Sequence, residues 1–423
     1  MSLKTNRWGI AIAGTLLQVC LGSVYAWSYF QIPLMNTYHW NNAQVSGVFS
    51  IAICFLGLAA AWGGMNMSKF SPRLLAITGG ALFGTGMILA AVMLHAHSLI
   101  GLYLAFGVIG GTGLGLGYVT PVAAVAKWFP DKKGLVTGMV IMGFGLGALF
   151  TGKVLAPALM AATSGNLVFV FALMGLVFLI VATGCGSLLR NPPAEKVIPD
   201  HGPVASGKSA AWFWSRQFWL MWGIFFCNIV AGIAIIGFQS PLLQDLLKKW
   251  NPTLSPASLV SAGATLIAIS SLCNGLGRLF WGGFSDHFGR VRTFQIILAS
   301  QAVTFGILAF THNPWVFAGL ICYVLLCYGG GFGTMPAFVL DVYGKTRMPV
   351  IYGCLLTAWS MGGLIGPQMV AWLKDNYTEK AGGVSFLVGA GILAIGLILS
   401  ACLQKPLTVL KLNPSAAPDC RMG

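Results

Sequence analysis

Apolar stretches of about twenty residues follow one another along almost the whole chain, each broken by a short cluster of charges, prolines or polar side chains. A helical run of that length matches the hydrocarbon thickness of a bilayer and is longer than a helix in a soluble core needs. Cut at the polar clusters, the pattern predicts twelve spanning helices. Six fall near 8–32, 44–66, 73–94, 99–126, 134–157 and 166–189, and six near 217–243, 258–281, 293–311, 315–339, 348–373 and 383–403. The one long polar interval, 191–216, carries Pro192, Pro193, Glu195, Lys196, Asp200, Gly202 and Pro203 and reads as a linker. The expected fold class is an all-α integral membrane protein with two six-helix bundles. The bundles occupy 1–190 and 217–423, the second ending in a short tail.

Composition agrees: 57% of the residues are hydrophobic and 8% charged. The formal net charge of +15 would point to nucleic acid in a soluble protein. Here the charge is strung along the loops. If the termini and the loops after even-numbered helices share one side, that side holds most of the 24 lysines and arginines, among them Arg7, Lys69, Arg73, Lys127 and Arg190. The other side keeps Lys153, Lys248, Lys249, Lys374 and Lys380. Basic residues collect on the cytoplasmic side, so both termini are expected there, with anionic lipid as the partner of the charge and no role for nucleic acid. The first helix lacks a small-residue cleavage site and is read as retained. The expected location is a plasma membrane, of the bacterial cytoplasmic kind, with the protein a monomer.

The ten cysteines form no Cys-x-x-Cys pair and read as small apolar residues, so neither a metal site nor a disulfide framework is expected. All six histidines and all nine acids fall at predicted span ends or in loops. With no carboxylate or imidazole deep in a span, no acid–base or nucleophilic constellation forms, and neither an enzyme nor a cofactor is expected.

Two internal echoes indicate a duplicated chain. Gly110-Gly-Thr-Gly-Leu-Gly-Leu-Gly117 leads to Pro121 and Gly329-Gly-Gly-Phe-Gly333 to Pro336, each at the same place in its half. These glycines lie inside spans rather than after a strand, which argues for close helix packing and against a phosphate loop, as it does for Gly143-Phe-Gly-Leu-Gly147. Duplicated halves around a central site are the architecture of many carriers.

Arg278 is the one charge deep inside an apolar span, the stretch from about Ala262 to Trp281. A guanidinium there costs roughly 2.5 to 3.5 kcal/mol on insertion scales and is expected to face a protein interior or a water-filled cavity. Asn274 at i−4 and Ser270 at i−8 share its helix face. A planar guanidinium takes a carboxylate bidentately and the amide can meet a second group such as an α-hydroxyl, so the pair suits a small hydroxy or keto acid. One buried cation balances one carboxylate, whereas a dicarboxylate would leave an excess charge. The structural alternatives are a guanidinium bonded to backbone carbonyls or one that snorkels to the cytoplasmic end of its span. Tyr118, Tyr328, Phe332 and Tyr29 are expected as cavity wall, with Trp359 narrowing the pocket from the opposite side.

The second echo is a loop signature. Gly282-Gly-Phe-Ser-Asp-His-Phe-Gly-Arg290 resembles the Gly-x-x-x-Asp-x-x-Gly-Arg signature of the major facilitator superfamily, and Gly64 to Arg73 is its degraded counterpart, with Ser68 for the acid and Ser71 for the glycine. With the twelve-span layout the resemblance covers the whole chain. It implies that Asp286 and Arg290, with Arg292, latch the cytoplasmic side as gating residues. The alternative is an ordinary interfacial ion pair.

Within that superfamily the Asn274 to Arg278 face, Tyr25-Ala-Trp-Ser-Tyr29 and Trp128-Phe-Pro-Asp-Lys-Lys-Gly134 resemble the monocarboxylate transporters and the related oxalate/formate exchangers. Both groups carry an arginine at the position of Arg278. The animal carriers have an aspartate where Asn274 stands and a lysine where Tyr29 is placed. The oxalate exchanger carries a lysine in a run that looks like Thr357-Ala358-Trp359. Trp359 in place of that lysine argues against a dianion. The resulting expectation is a secondary transporter of lactate- or pyruvate-like monocarboxylates, moving a proton on the substrate carboxylate or through a water-linked phenol such as Tyr118. An organic-anion exchanger and a non-transporting carboxylate sensor are the alternatives.

Overall fold

In the computed structural model of the protein, residues 6–67, 69–129, 133–192, 212–377 and 381–403 are described. Most of the expected linker, Ser68, Asp131 and the C-terminal tail lie outside them. Among the described residues twelve helices are long and apolar enough to cross a bilayer. They are α1 (Arg7–Tyr38), α2 (Asn42–Asn66), α3 (Pro72–His95), α4 (Leu99–Trp128), α5 (Val136–Ala162) and α6 (Leu167–Leu188), then α7 (Arg216–Trp250), α8 (Pro256–Phe288), α9 (Arg290–Ala309), α10 (Pro314–Gly344), α11 (Val350–Asn376) and α12 (Gly382–Ala401). The end of the molecule that holds the loops after odd-numbered helices is called distal here, and the opposite end proximal.

Helix starts follow local chemistry. Asn6, Ser71, Asn166, Ser215, Ser255 and Asn313 each cap a helix by accepting from a first-turn N–H, and proline follows at Pro72, Pro256 and Pro314, where its missing N–H costs nothing. Between α10 and α11 the chain turns at Gly344, whose φ of 76° favours glycine.

Two expectations change. Span α7 reaches Trp250 rather than 243, and α8 runs to Phe288, so the signature Gly282 to Phe288 is helix rather than loop. The turn comes only at Gly289, with φ 87°. The extra turns are held by Phe284 stacked on Phe288, ring centroids 4.2 Å apart, and by Ser285 Oγ donating to the Gly282 carbonyl at 2.7 Å. Arg278 thereby lies about 15 Å from the end of its helix.

Glycines set how closely helices approach. A Cβ on Gly22 of α1 would run into the backbone of Phe144 in α5, and one on Gly147 would meet Gly22. Gly145 lies on Gly275 of α8, while Gly277, Gly329 and Gly333 bring α8 and α10 into backbone contact. Gly57 of α2 lies on the backbone of α11 at Leu356 and Ser360, and Gly363 of α11 makes room for the Ile53 side chain of α2. Without a hydrophobic drive between helices in lipid, such contacts supply the packing energy.

Candidate functional site

Among the described residues Arg278 is the one charged side chain that is buried, at 2% exposure. Its Nη1 donates to the Ile141 carbonyl of α5 at 2.7 Å, a bond across the two halves of the chain. Nε and Nη2 have no hydrogen-bond partner. These two nitrogens form one edge of the guanidinium, with two parallel donors spaced for a carboxylate. One nitrogen is therefore pinned and a binding edge is left free.

Aromatic rings from both halves enclose the guanidinium. Its carbon is 5.2 Å from the centroid of Phe332 in α10 and 5.8 Å from that of Phe144 in α5, both within cation–π range. Trp359 of α11 packs on Phe332 at 4.6 Å, on Tyr118 at 5.1 Å and on Phe144 at 5.6 Å. Tyr25 meets Phe144 at 5.1 Å, and its hydroxyl is 2.7 Å from that of Tyr328. The cage excludes water, which strengthens any charge interaction inside it. Three buried polar atoms among these rings have no hydrogen-bond partner: the hydroxyls of Tyr118 and Tyr352 and Trp359 Nε1. Buried polar atoms normally find partners, so a group of orphans around a cation marks a place where a polar ligand completes the set.

Arg278, Tyr118, Tyr328, Phe332 and Trp359 thus come together. Asn274 is buried a turn before Arg278, its amide oxygen pressed towards Gly329 of α10, where a Cβ would overlap it. Ser270 instead donates to Gln239 of α7 at 2.6 Å. Tyr29 does not join the cage. Its ring pairs with Phe30 at 5.2 Å, and Tyr25 takes the place expected for it. Tyr29 stands a turn further along α1, roughly 6 Å from Tyr25 along the helix axis. Tyr25, Phe144 and Tyr352 are additions to the sequence reading. Phe144 had a legible signal, a single large ring inside the run Gly143 to Gly147, whereas Tyr352 had none.

At the proximal end, Arg290 Nη1 is 2.6 Å from Asp286 Oδ1 and its Nε is 2.9 Å from Asp341 Oδ2. Nη1 also donates to Ser285 Oγ. Asp341, at the end of α10, is the acidic partner that the loop pattern does not reveal. All four residues belong to the C-terminal half, with Asp286 and Asp341 62% and 41% exposed.

Twelve helices able to cross a bilayer, together with the family match and the relatives that follow, make this a multi-pass membrane transporter and not an enzyme. The family description "Major Facilitator Superfamily" matches residues 12–367 and, a second time, 236–419, and the chain belongs to that superfamily. It is 27% identical to the uncharacterized MFS-type transporter YhjX of Escherichia coli K12, over 85% of this chain and 87% of that one. It is 23% identical to the oxalate:formate antiporter of Oxalobacter formigenes, over 89% and 87%. With the apicoplast pyruvate carrier 1 of Toxoplasma gondii it shares 26% identity, over 91% and 87%. Among solved structures, the nucleoside transporter NupG superposes with a TM-score of 0.66 at 14% identity, covering 94% of this chain and 98% of that one, a likeness of fold.

Proposed function

We propose that this protein carries small monocarboxylates of the lactate and pyruvate type across a plasma membrane, by alternating access around Arg278. The observation that carries the reading is the unpartnered Nε/Nη2 edge of a buried guanidinium enclosed by aromatic rings from both halves. A carboxylate fits that edge in two parallel bonds. Tyr118, Tyr352 and Trp359 offer donors to a second oxygen of the cargo. A single buried cation favours a single negative charge on the cargo. Relatives named as a pyruvate carrier and an oxalate:formate antiporter support an organic anion as cargo.

The proton has no buried carboxylate or histidine to ride on among the described residues. Arginine keeps its proton at neutral pH, so the proton travels on the cargo's own carboxylate or through a phenol such as Tyr118. Exchange of one anion for another is the second reading, favoured by the antiporter among the relatives. Trp359, where the oxalate exchanger is expected to carry its second cation, weighs against it for dianions.

The test is uptake of labelled lactate into proteoliposomes, with lactate, pyruvate, formate, acetate and oxalate as competitors. We expect accumulation driven by external acidification and competition by the monoanions. Uptake that needs a preloaded anion and ignores the pH gradient replaces symport by exchange. Strong inhibition by oxalate alone overturns the monocarboxylate assignment.

A further inference from the structure

We propose that the Asp375 carboxylate is the releasable tie that holds the distal mouth of the transporter shut, by capping helix α2 from the opposite half of the molecule. Asp375 stands at the end of α11. Its Oδ1 accepts from the Asn42 backbone N–H at 3.1 Å and from the Asn42 side-chain amide at 2.8 Å, and its Oδ2 accepts from the Ala43 N–H at 2.9 Å. Beside it, Gln368 Nε2 donates to the Ala43 carbonyl at 3.2 Å.

The first N–H groups of a helix lack partners within the helix and carry its positive end. In α2 the third of them, on Gln44, is satisfied locally by Asn41 Oδ1 at 2.8 Å, while Gln44 Oε1 returns the bond to the Asn41 N–H at 2.9 Å. That capping box leaves the N–H groups of Asn42 and Ala43, and both are taken by one carboxylate of the other half. The tie joins two charge-complementary groups in a position that is exposed, so water can replace each bond when the halves part. A tie meant to be permanent would be buried. Lys374, bound to Asp245 of α7 at 2.6 Å, holds the same end of α11 to its own bundle and so transmits the pull.

What lies beneath the tie indicates that the seam opens. Ser46 and Ser50 share the α2 face of Ile53 and Gly57, which meet Gly363 and Ser360 of α11. Both serines are 1% exposed and neither hydroxyl has a partner, and Ser28 of α1 is in the same condition. Orphaned hydroxyls lining a dry seam find partners in a second form, in which water and cargo enter from the distal side.

The test reads accessibility, so its outcome is independent of which cargo is carried. Ser46→Cys is placed in the full-length protein in membrane vesicles, and a membrane-impermeant maleimide is applied to each face in turn. Adding Asp375→Ala should raise distal labelling of Ser46→Cys severalfold, and the isosteric Asp375→Asn, which keeps one acceptor oxygen, should give an intermediate rate. Lys374→Ala, which leaves the tie itself in place, should give a smaller rise than either. Labelling equal to that of the parent in both Asp375 variants overturns the proposal, as does an equal rise in Lys374→Ala, which would signal general loosening.

Discussion

A guanidinium with one nitrogen pinned to a helix carbonyl presents its remaining edge at a fixed angle, and lysine has no such edge to present. Arg278→Lys is therefore expected to cut lactate uptake on the order of 10- to 100-fold, the loss that follows from a charged hydrogen bond of about 1.5 to 3 kcal/mol. Measured initial rates near those of the parent would show that Arg278 is structural. Tyr25→Phe removes the bond to Tyr328 and nothing else from the cage. At about 1 kcal/mol for a neutral bond, KM should rise roughly fivefold, and an unchanged KM would place the pair outside the binding path. Trp359→Lys adds a second cation against the first. Competition by oxalate should strengthen at least about tenfold, equivalent to about 1.4 kcal/mol, and weaker oxalate binding would refute the charge argument. Of these residues, Arg278 and Trp359 stand out in sequence, one as the only charge deep in a predicted span and the other by its resemblance position. Tyr25 carries no comparable signal, because its place beside Phe144 and Tyr328 depends on helices more than 100 residues away.

At the scale of helices, backbone contact decides tolerance to change. A Cβ at Gly333 would come within 2.8 Å of Arg278 Cα, and neither backbone can yield without moving the guanidinium. Gly333→Ala should destabilise the protein by roughly 1 to 3 kcal/mol and lower its melting temperature in detergent. Gly306 of α9 has open space around it, and Gly306→Ala should leave the melting temperature unchanged or raise it, since alanine favours helix. Equal effects at both sites would contradict the packing account. Arg290→Ala leaves Asp286 and Asp341 without their shared cation, yet at half-exposed positions this should cost no more than about 1 kcal/mol of stability. If the triad gates the proximal side, turnover should fall while KM stays; unaltered turnover would leave it an ordinary ion pair. Legibility differed between elements. Helix starts were readable from Asn-Pro and Ser-Pro caps, whereas the end of α8 was not, because the signature's Gly, Ser and Asp favour a loop locally, while the stacked Phe284 and Phe288 and the Ser285 bond to Gly282 carry the helix onward.

For the whole molecule, the proposed function makes Arg278, the one buried cation among the described residues, the site that the two halves expose to two sides in turn. Its orientation is expected from the loop charges: a reporter active only in the cytoplasm, fused after Gly423, should be active. Activity of an exported enzyme in that fusion would reverse the topology. The number of spans, their order and the position of the central arginine were determined by sequence, because bilayer thickness and the cost of buried charge act on each segment independently of its neighbours. The composition of the cage, the Asp286–Arg290–Asp341 triad and the Asp375 cap on α2 were decided only by tertiary structure. Their partners lie up to 333 residues apart in the chain, and pairing at that separation is set by how helices pack, through glycine contacts and interrupted turns that no local pattern specifies.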